Sequence, residues 1–128
     1  MLKIVEIHAA NGVQSEYIVL QNTGLVTVSL RGWALCSDAF LDGDTAQIAE
    51  EMYIFREDVP IRPYTRVVLF TGTGEDGWVP TIDGRQAYCA YWGRQEHFWT
   101  HTPNVNVLHL LASRRIAPAT VAQTAAQA

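Results

Sequence analysis

Three groups of side chains have types and spacings that could do chemistry. Asp38, Asp42 and Asp44 crowd one stretch, and clustered carboxylates supply the oxygen ligands that calcium takes. Their order and spacing do not fit the twelve-residue EF-hand loop. Two readings stay open there, a calcium loop of another kind and a solvated acidic loop. His97 and His101 stand close in sequence, a spacing seen in zinc sites. Zinc would need further ligands, and neither Cys36 nor Cys89 has a neighbouring cysteine to make a finger-like set. The run Thr71-Gly72-Thr73-Gly74-Glu75-Asp76-Gly77 has the glycines of a phosphate loop. It lacks the Lys-Ser or Lys-Thr that should follow, and its two acids would repel phosphate, so it reads as a connection. Ser, His, Asp and Glu are all present, but none stands in a nucleophile context such as Gly-x-Ser-x-Gly. No catalytic residue, cofactor or metal ligand is expected.

The elements that must position these groups read as strands. In Glu16 to Leu35, Tyr17 to Leu20 is rich in aromatic and β-branched residues, and Gln21-Asn22-Thr23-Gly24 is a polar cluster able to turn the chain. Leu25 to Leu30 then places Val26, Val28 and Leu30 on one side with Thr27 and Ser29 on the other, the alternation of a half-buried strand. Trp33, in the next short strand, is expected to be buried with its indole N–H bonded. Before this pair, Leu2 to His8 is a strand and Asn11-Gly12 a turn. After it, Cys36 to Glu51 is a long acidic loop with a helical turn in Thr45 to Glu51. Met52 to Phe55 follows as a strand, and Arg66 to Phe70, whose polar alternation vanishes, is expected to be central in its sheet. Gln86 to Trp92 and Val105 to Leu111 complete the series, Leu108 and Leu110 facing alike. Ala117 to Ala128, dominated by Ala, Thr and Gln, reads as a tail or linker beyond a domain of residues 1–116.

These segments resemble the opening of the lamin tail domain. The residues that carry the likeness are Ile4-Val5-Glu6-Ile7, then Glu16-Tyr17-Ile18-Val19-Leu20-Gln21-Asn22-Thr23-Gly24, then Val28-Ser29-Leu30-Arg31-Gly32-Trp33-Ala34-Leu35. Weaker likenesses follow at Tyr53-Ile54-Phe55, Ile61 to Gly72, Tyr91-Trp92 with Trp99, and Asn106 to Leu111. The chain departs from the family pattern at Val19, where Glu is frequent, and at Tyr64, where Gly follows Pro in the middle turn. Asn106 stands near an expected Asp, and Ser113-Arg114-Arg115 replaces a closing Asp-Gly turn. The resemblance implies an all-β fold, an immunoglobulin-like β-sandwich of two antiparallel sheets. It also implies a non-catalytic interaction or scaffold module, in bacteria often attached to other domains.

Composition sets the outer bounds. A chain of 128 residues, 48% hydrophobic and 17% charged, has the size and make-up of one globular domain. Its net charge of −4 offers no overall attraction for nucleic acid, although Arg114, Arg115 and Arg94 leave a local basic patch open. Cys36 and Cys89 read as buried free thiols, with a bridge as the other reading. There is no apolar run of membrane-span length, and Met1 leads into the first strand without a signal-peptide pattern. The expected chain is therefore soluble and unexported, or else a domain cut from a longer secreted protein. A protein partner is the expected ligand, with Trp78, Arg94 and His97 as contact candidates because they fall in expected loops and suit interfaces. The alternatives are carbohydrate recognition by a coplanar exposed pair among Trp78, Tyr91, Trp92 and Trp99, and a homodimer through a free sheet edge.

Overall fold

The computed structural model describes residues 1–9 and 12–111. The expected tail at 117–128 and the Arg114-Arg115 pair lie outside the described residues. The strands are β1 (Leu2–His8), β2 (Tyr17–Asn22), β3 (Val28–Ser29), β4 (Trp33–Cys36), β5 (Met52–Ile54), β6 (Pro60–Ile61), β7 (Arg66–Phe70), β8 (Gly77–Pro80), β9 (Gln86–Tyr91) and β10 (Asn106–His109). Two short helices, α1 (Ala39–Asp42) and α2 (Thr45–Glu50), lie between β4 and β5, and single 3-10 turns cover Val13–Ser15 and Trp99–His101. The chain forms two compact units. Of the described residues, the first comprises those of Met1–Val28 with Ile61–His101, and the second Ser29–Pro60 with those from Thr102 to Leu111.

The first unit is built on a five-stranded sheet in the order β1-β2-β7-β9-β8. β7 lies at its centre, as its unbroken apolar run predicts. Ile18, Leu20, Val67, Leu69, Tyr88 and Ala90 alternate onto one face and are buried, each large aliphatic among them worth about 1.5 to 3 kcal/mol of burial. The sheet is mixed, not antiparallel throughout, because β7 and β9 pair in parallel. The cause lies in the connection: after β7 the chain runs to the sheet's far edge to make β8, and the β8–β9 hairpin returns it between them.

Two expectations for this unit are corrected. The run Leu25 to Leu30 is not one strand; only Val28 and Ser29 are extended partners, and Leu25, 84% exposed, and Val26 point to solvent. Asn22 is the reason. Its Nδ2 donates to the Val26 carbonyl at 2.9 Å and its Oδ1 accepts from the Gly24 N–H at 3.0 Å, which folds residues 22–26 into a tight loop where alternation cannot run. Trp78 is not in a loop either. It sits on β8 in register with Tyr88, and β9 supplies the strand partner that the local sequence does not reveal.

The turn before β7 holds a strained residue. In Arg62-Pro63-Tyr64-Thr65 the Thr65 N–H donates to the Arg62 carbonyl at 3.1 Å, and Tyr64 has φ +66°, the left-handed conformation that favours glycine. Tyr64→Gly is expected to raise stability by about 0.5 to 1 kcal/mol, relief of strain exceeding the added unfolded-state freedom. A urea titration checks it, and a lower midpoint would mean that the tyrosine ring contributes packing that outweighs its backbone strain.

The second unit carries a three-stranded antiparallel sheet, β10-β4-β5. Ala34, Cys36 and Leu108 form its core, with Phe40, Met52 and Ile54 packed against them. Trp33 is buried and stacks on His109, ring centroids 4.2 Å apart. Its indole N–H, expected to be bonded, has no hydrogen-bond partner among the described residues. Leu110 does not share the burial of Leu108: β10 ends at His109, and Leu110 turns outward as its N–H donates to the Gly32 carbonyl at 2.8 Å. The helical turn expected in Thr45 to Glu51 is α2, capped by the Asp44 carboxylate accepting from the Gln47 N–H at 2.8 Å.

Candidate functional site

The groups singled out for chemistry are engaged with protein donors or stand apart. Asp38 accepts from Asn104 Nδ2 and Asn106 Nδ2, each at 2.8 Å. These bonds hold its carboxyl below the usual range. With Asp44 capping α2, two of the three clustered aspartates serve the local fold. Cys36 and Cys89 are free and buried. Burial, with Asp38 nearby, pushes the Cys36 thiol up to about 12, and burial with Asp76 nearby raises Cys89. Neither is therefore a ready nucleophile at neutral pH. The rings of His97 and His101 lie 5.1 Å apart, and no group of three or more potential metal ligands occurs among the described residues.

The residue that sequence reasoning missed is Glu16. It is fully buried at the start of β2, and its carboxylate gathers donors from far along the chain. Oε1 accepts from the Phe98 N–H at 2.9 Å, the Trp99 N–H at 3.0 Å and the Thr71 hydroxyl at 2.6 Å. Oε2 accepts from the Thr100 N–H at 2.8 Å and the Thr100 hydroxyl at 2.5 Å. Burial by itself would raise the carboxyl pKa, but the Thr100 and Thr71 hydroxyls and the Phe98 and Thr100 amides outweigh it and bring it down to about 2. Glu16 thus acts as the anionic cap of the 3-10 turn at Trp99–His101 and ties the loop after β9 to β2. An acid next to an aromatic was visible in the sequence; its five donors were not, since they lie 55 to 84 residues away.

Arg94 and His97 stand in the loop between β9 and this tie. The Arg94 guanidinium lies 4.7 Å from the Trp92 ring centre and 4.8 Å from that of Phe98, a cation–π arrangement. Its backbone N–H donates to the Thr71 carbonyl at 2.9 Å. His97 is half-buried, with Nδ1 unbonded among the described residues. Trp78 belongs to a different place, the middle of edge strand β8, where its ring meets Tyr88 edge-on at 5.5 Å. The three contact candidates therefore divide between one loop and one sheet edge.

The two edges of the five-stranded sheet differ in kind. Along β1 the register slips between Ile4 and Glu6, a bulge that places Val5 out of the ladder, and the charged Lys3 and Glu6 stand exposed. Bulges and charges discourage strand addition. Along β8, Trp78, 43% exposed, and Val79 lie open without a charged neighbour on the strand. The Thr81 N–H bonds inward to the Arg85 carbonyl at 2.7 Å, so antiparallel parity leaves Trp78 and Pro80 with their backbone groups outward. Pro80 has no N–H to offer, and the edge is short. On the sheet face opposite the core, His8, Tyr17, Phe70 and Tyr91 form a continuous row, with centroid spacings of 4.6, 5.5 and 4.9 Å. His8 with Tyr17 and Phe70 with Tyr91 are stacked on one another, so these ring faces are spent within the row. The row was hidden because strand order, not sequence order, makes these residues neighbours. No helix among the described residues is long and apolar enough to cross a membrane. No family model matches the chain, and no curated protein matches it.

Proposed function

We propose that the chain is a non-catalytic interaction module, an immunoglobulin-like sandwich of the lamin tail type, that takes a protein partner along the outer edge of β8. The observation that carries this reading is the exposed Trp78-Val79 pair on a terminal strand free of the bulge and charges that guard β1. Tryptophan is the residue type that most often anchors an interface, and an open strand edge adds backbone hydrogen bonds to side-chain burial. The outward Trp78 N–H and carbonyl, with the Pro80 carbonyl, suit a short pairing of a partner strand. Arg94 and His97 belong to a loop already ordered by Glu16 and are secondary contacts at most in this reading. Carbohydrate stacking draws no support from the aromatic geometry: Trp92 and Trp99 are tilted by 33° with Trp99 buried, and Tyr91 is stacked on Phe70.

A photo-crosslinker placed at position 78 tests this reading in lysate of the source organism. A protein adduct is expected at 78, and Val79→Lys should reduce its yield about tenfold or more, since a charge at the edge opposes pairing. A second copy of the chain as the adduct, with a doubled mass in solution, would assign the edge to self-association. Equal yield with and without Val79→Lys would remove the edge from the interface.

A further inference from the structure

The register of the first unit sorts its loops between two ends of the sheet. Leu2 pairs with Asn22, Gln21 with Arg66, Arg66 with Ala87, and Pro80 with Gln86. The loop after β2, the turn before β7 and the β8–β9 hairpin tip therefore leave the sheet at one end. Each presents large apolar side chains to solvent: Leu25 and Val26 in the first, Tyr64, 58% exposed, in the second, and a fully exposed Ile82 in the third. Four exposed cations stand at this same end. Lys3 and Arg66 flank Gln21 across β1, β2 and β7, Arg62 is in the turn and Arg85 closes the hairpin. One acid stands among them, the exposed Asp83, which accepts from the Thr81 hydroxyl and the Arg85 N–H within the hairpin and is outnumbered by the four cations. The opposite end carries Glu75 and Asp76 in the loop after β7 and Glu96 in the loop after β9. The first unit, in a chain of net charge −4, thus has one basic, apolar end.

The tips at this end are held in place. The Tyr64 N–H donates to the Asn22 carbonyl at 2.7 Å, Gln21 Nε2 donates to the Tyr64 carbonyl at 3.0 Å, and Asn22 Nδ2 holds the Val26 carbonyl. Tyr64 keeps a left-handed backbone that glycine would adopt more easily, the kind of local cost that collects at functional positions. Exposed apolar residues scattered singly need no explanation, but several on adjoining loop tips with a cationic surround do.

We propose that this end of the first unit docks peripherally on an anionic phospholipid bilayer. Leu25, Val26, Tyr64 and Ile82 enter the headgroup zone, and Lys3, Arg62, Arg66 and Arg85 meet the lipid phosphates and carboxylates. The shape decides for a bilayer over an acidic peptide. The apolar residues stand on separate loops as projections, whereas a peptide is gripped by a groove or a strand edge. A deformable interface accommodates separated projections, tyrosine suits its polar depth, and cations beside it are drawn by the surface potential. This goes beyond the protein-binding reading and uses a different surface from the β8 edge.

The test is flotation of the full chain with vesicles of phosphatidylserine and phosphatidylcholine, against vesicles of phosphatidylcholine alone. Binding to the anionic vesicles is expected, weakened by high salt. It should fall about tenfold or more in Leu25→Ser/Ile82→Ser and in Arg62→Gln/Arg66→Gln, all exposed positions, with unfolding curves confirming the fold. Trp78→Ala, which disables the edge, should leave vesicle binding within about twofold, so the two readings fail separately. Absence of flotation with anionic vesicles, equal flotation with neutral ones, or indifference to both double variants would overturn the proposal. So would capture of soluble polyglutamate as strong as that of the vesicles, which would assign the cations to an acidic protein.

Discussion

Glu16→Ala is expected to lower the free energy of unfolding by about 3 to 5 kcal/mol, the range found when one partner of a buried charged network is deleted. The substitution leaves the N–H groups of Phe98, Trp99 and Thr100 and the Thr71 hydroxyl without their acceptor. Glu16→Gln separates charge from shape. Its amide keeps one acceptor oxygen but points a donor at donors, so a loss of about 2 to 4 kcal/mol is expected. Urea unfolding of both variants measures this. A Gln variant as stable as the parent would show that the site needs an acceptor and not an anion.

The same carboxylate predicts how the fold meets acid. With a folded pKa of about 2 against an ordinary value of 4.5, the native state holds Glu16 deprotonated where the unfolded chain would bind a proton. Its contribution is complete above pH 4.5 and is lost as pH falls from there toward 2, amounting to about 3 kcal/mol in all. His109 acts in an earlier window. Burial lowers its pKa from 6.5, so the folded state disfavours the imidazolium and stability declines as pH drops through and below that value. The parent and Glu16→Gln should therefore share the slope near pH 6 and part below 4.5.

What could be read from the sequence was what local pattern determines. The β7 run of Val67, Val68 and Leu69 shows its central place because its apolar residues continue onto the half-buried face, where Val68 stands, as well as the buried one. The strand at β9 and the helical turn at α2 likewise follow from local composition. Side-chain hydrogen bonds over long separations were not legible. Glu16 reads locally only as an acid before an aromatic, because the partners of its carboxylate lie 55 or more residues away. Trp78 looked like a loop residue because β8 owes its extended form to β9. The exposed end of the first unit was hidden for a third reason: Leu25, Val26, Tyr64 and Ile82 lie in three segments that only the register of five strands brings to one side.

Asn22 gives the sharpest separation between the two levels. Read locally, it is a polar residue in a turn cluster, and replacement by Ser or Gly should cost less than about 1 kcal/mol. In the structure it is fully buried and uses all its side-chain bonding capacity. Oδ1 accepts from the Met1 amino group and the Gly24 N–H, and Nδ2 donates to the Val26 and Ile61 carbonyls. Asn22→Ser is therefore expected to cost about 3 kcal/mol, because one hydroxyl cannot serve two buried carbonyls and two donors. Asn22→Asp should cost at least as much, since an oxygen would face the Val26 and Ile61 carbonyls in place of their donor. Hydrogen exchange then shows where the loss falls. The Gly24 and Tyr64 amides should lose protection in both variants ahead of the core of β7, and a variant that keeps them protected would place Asn22 among ordinary turn residues.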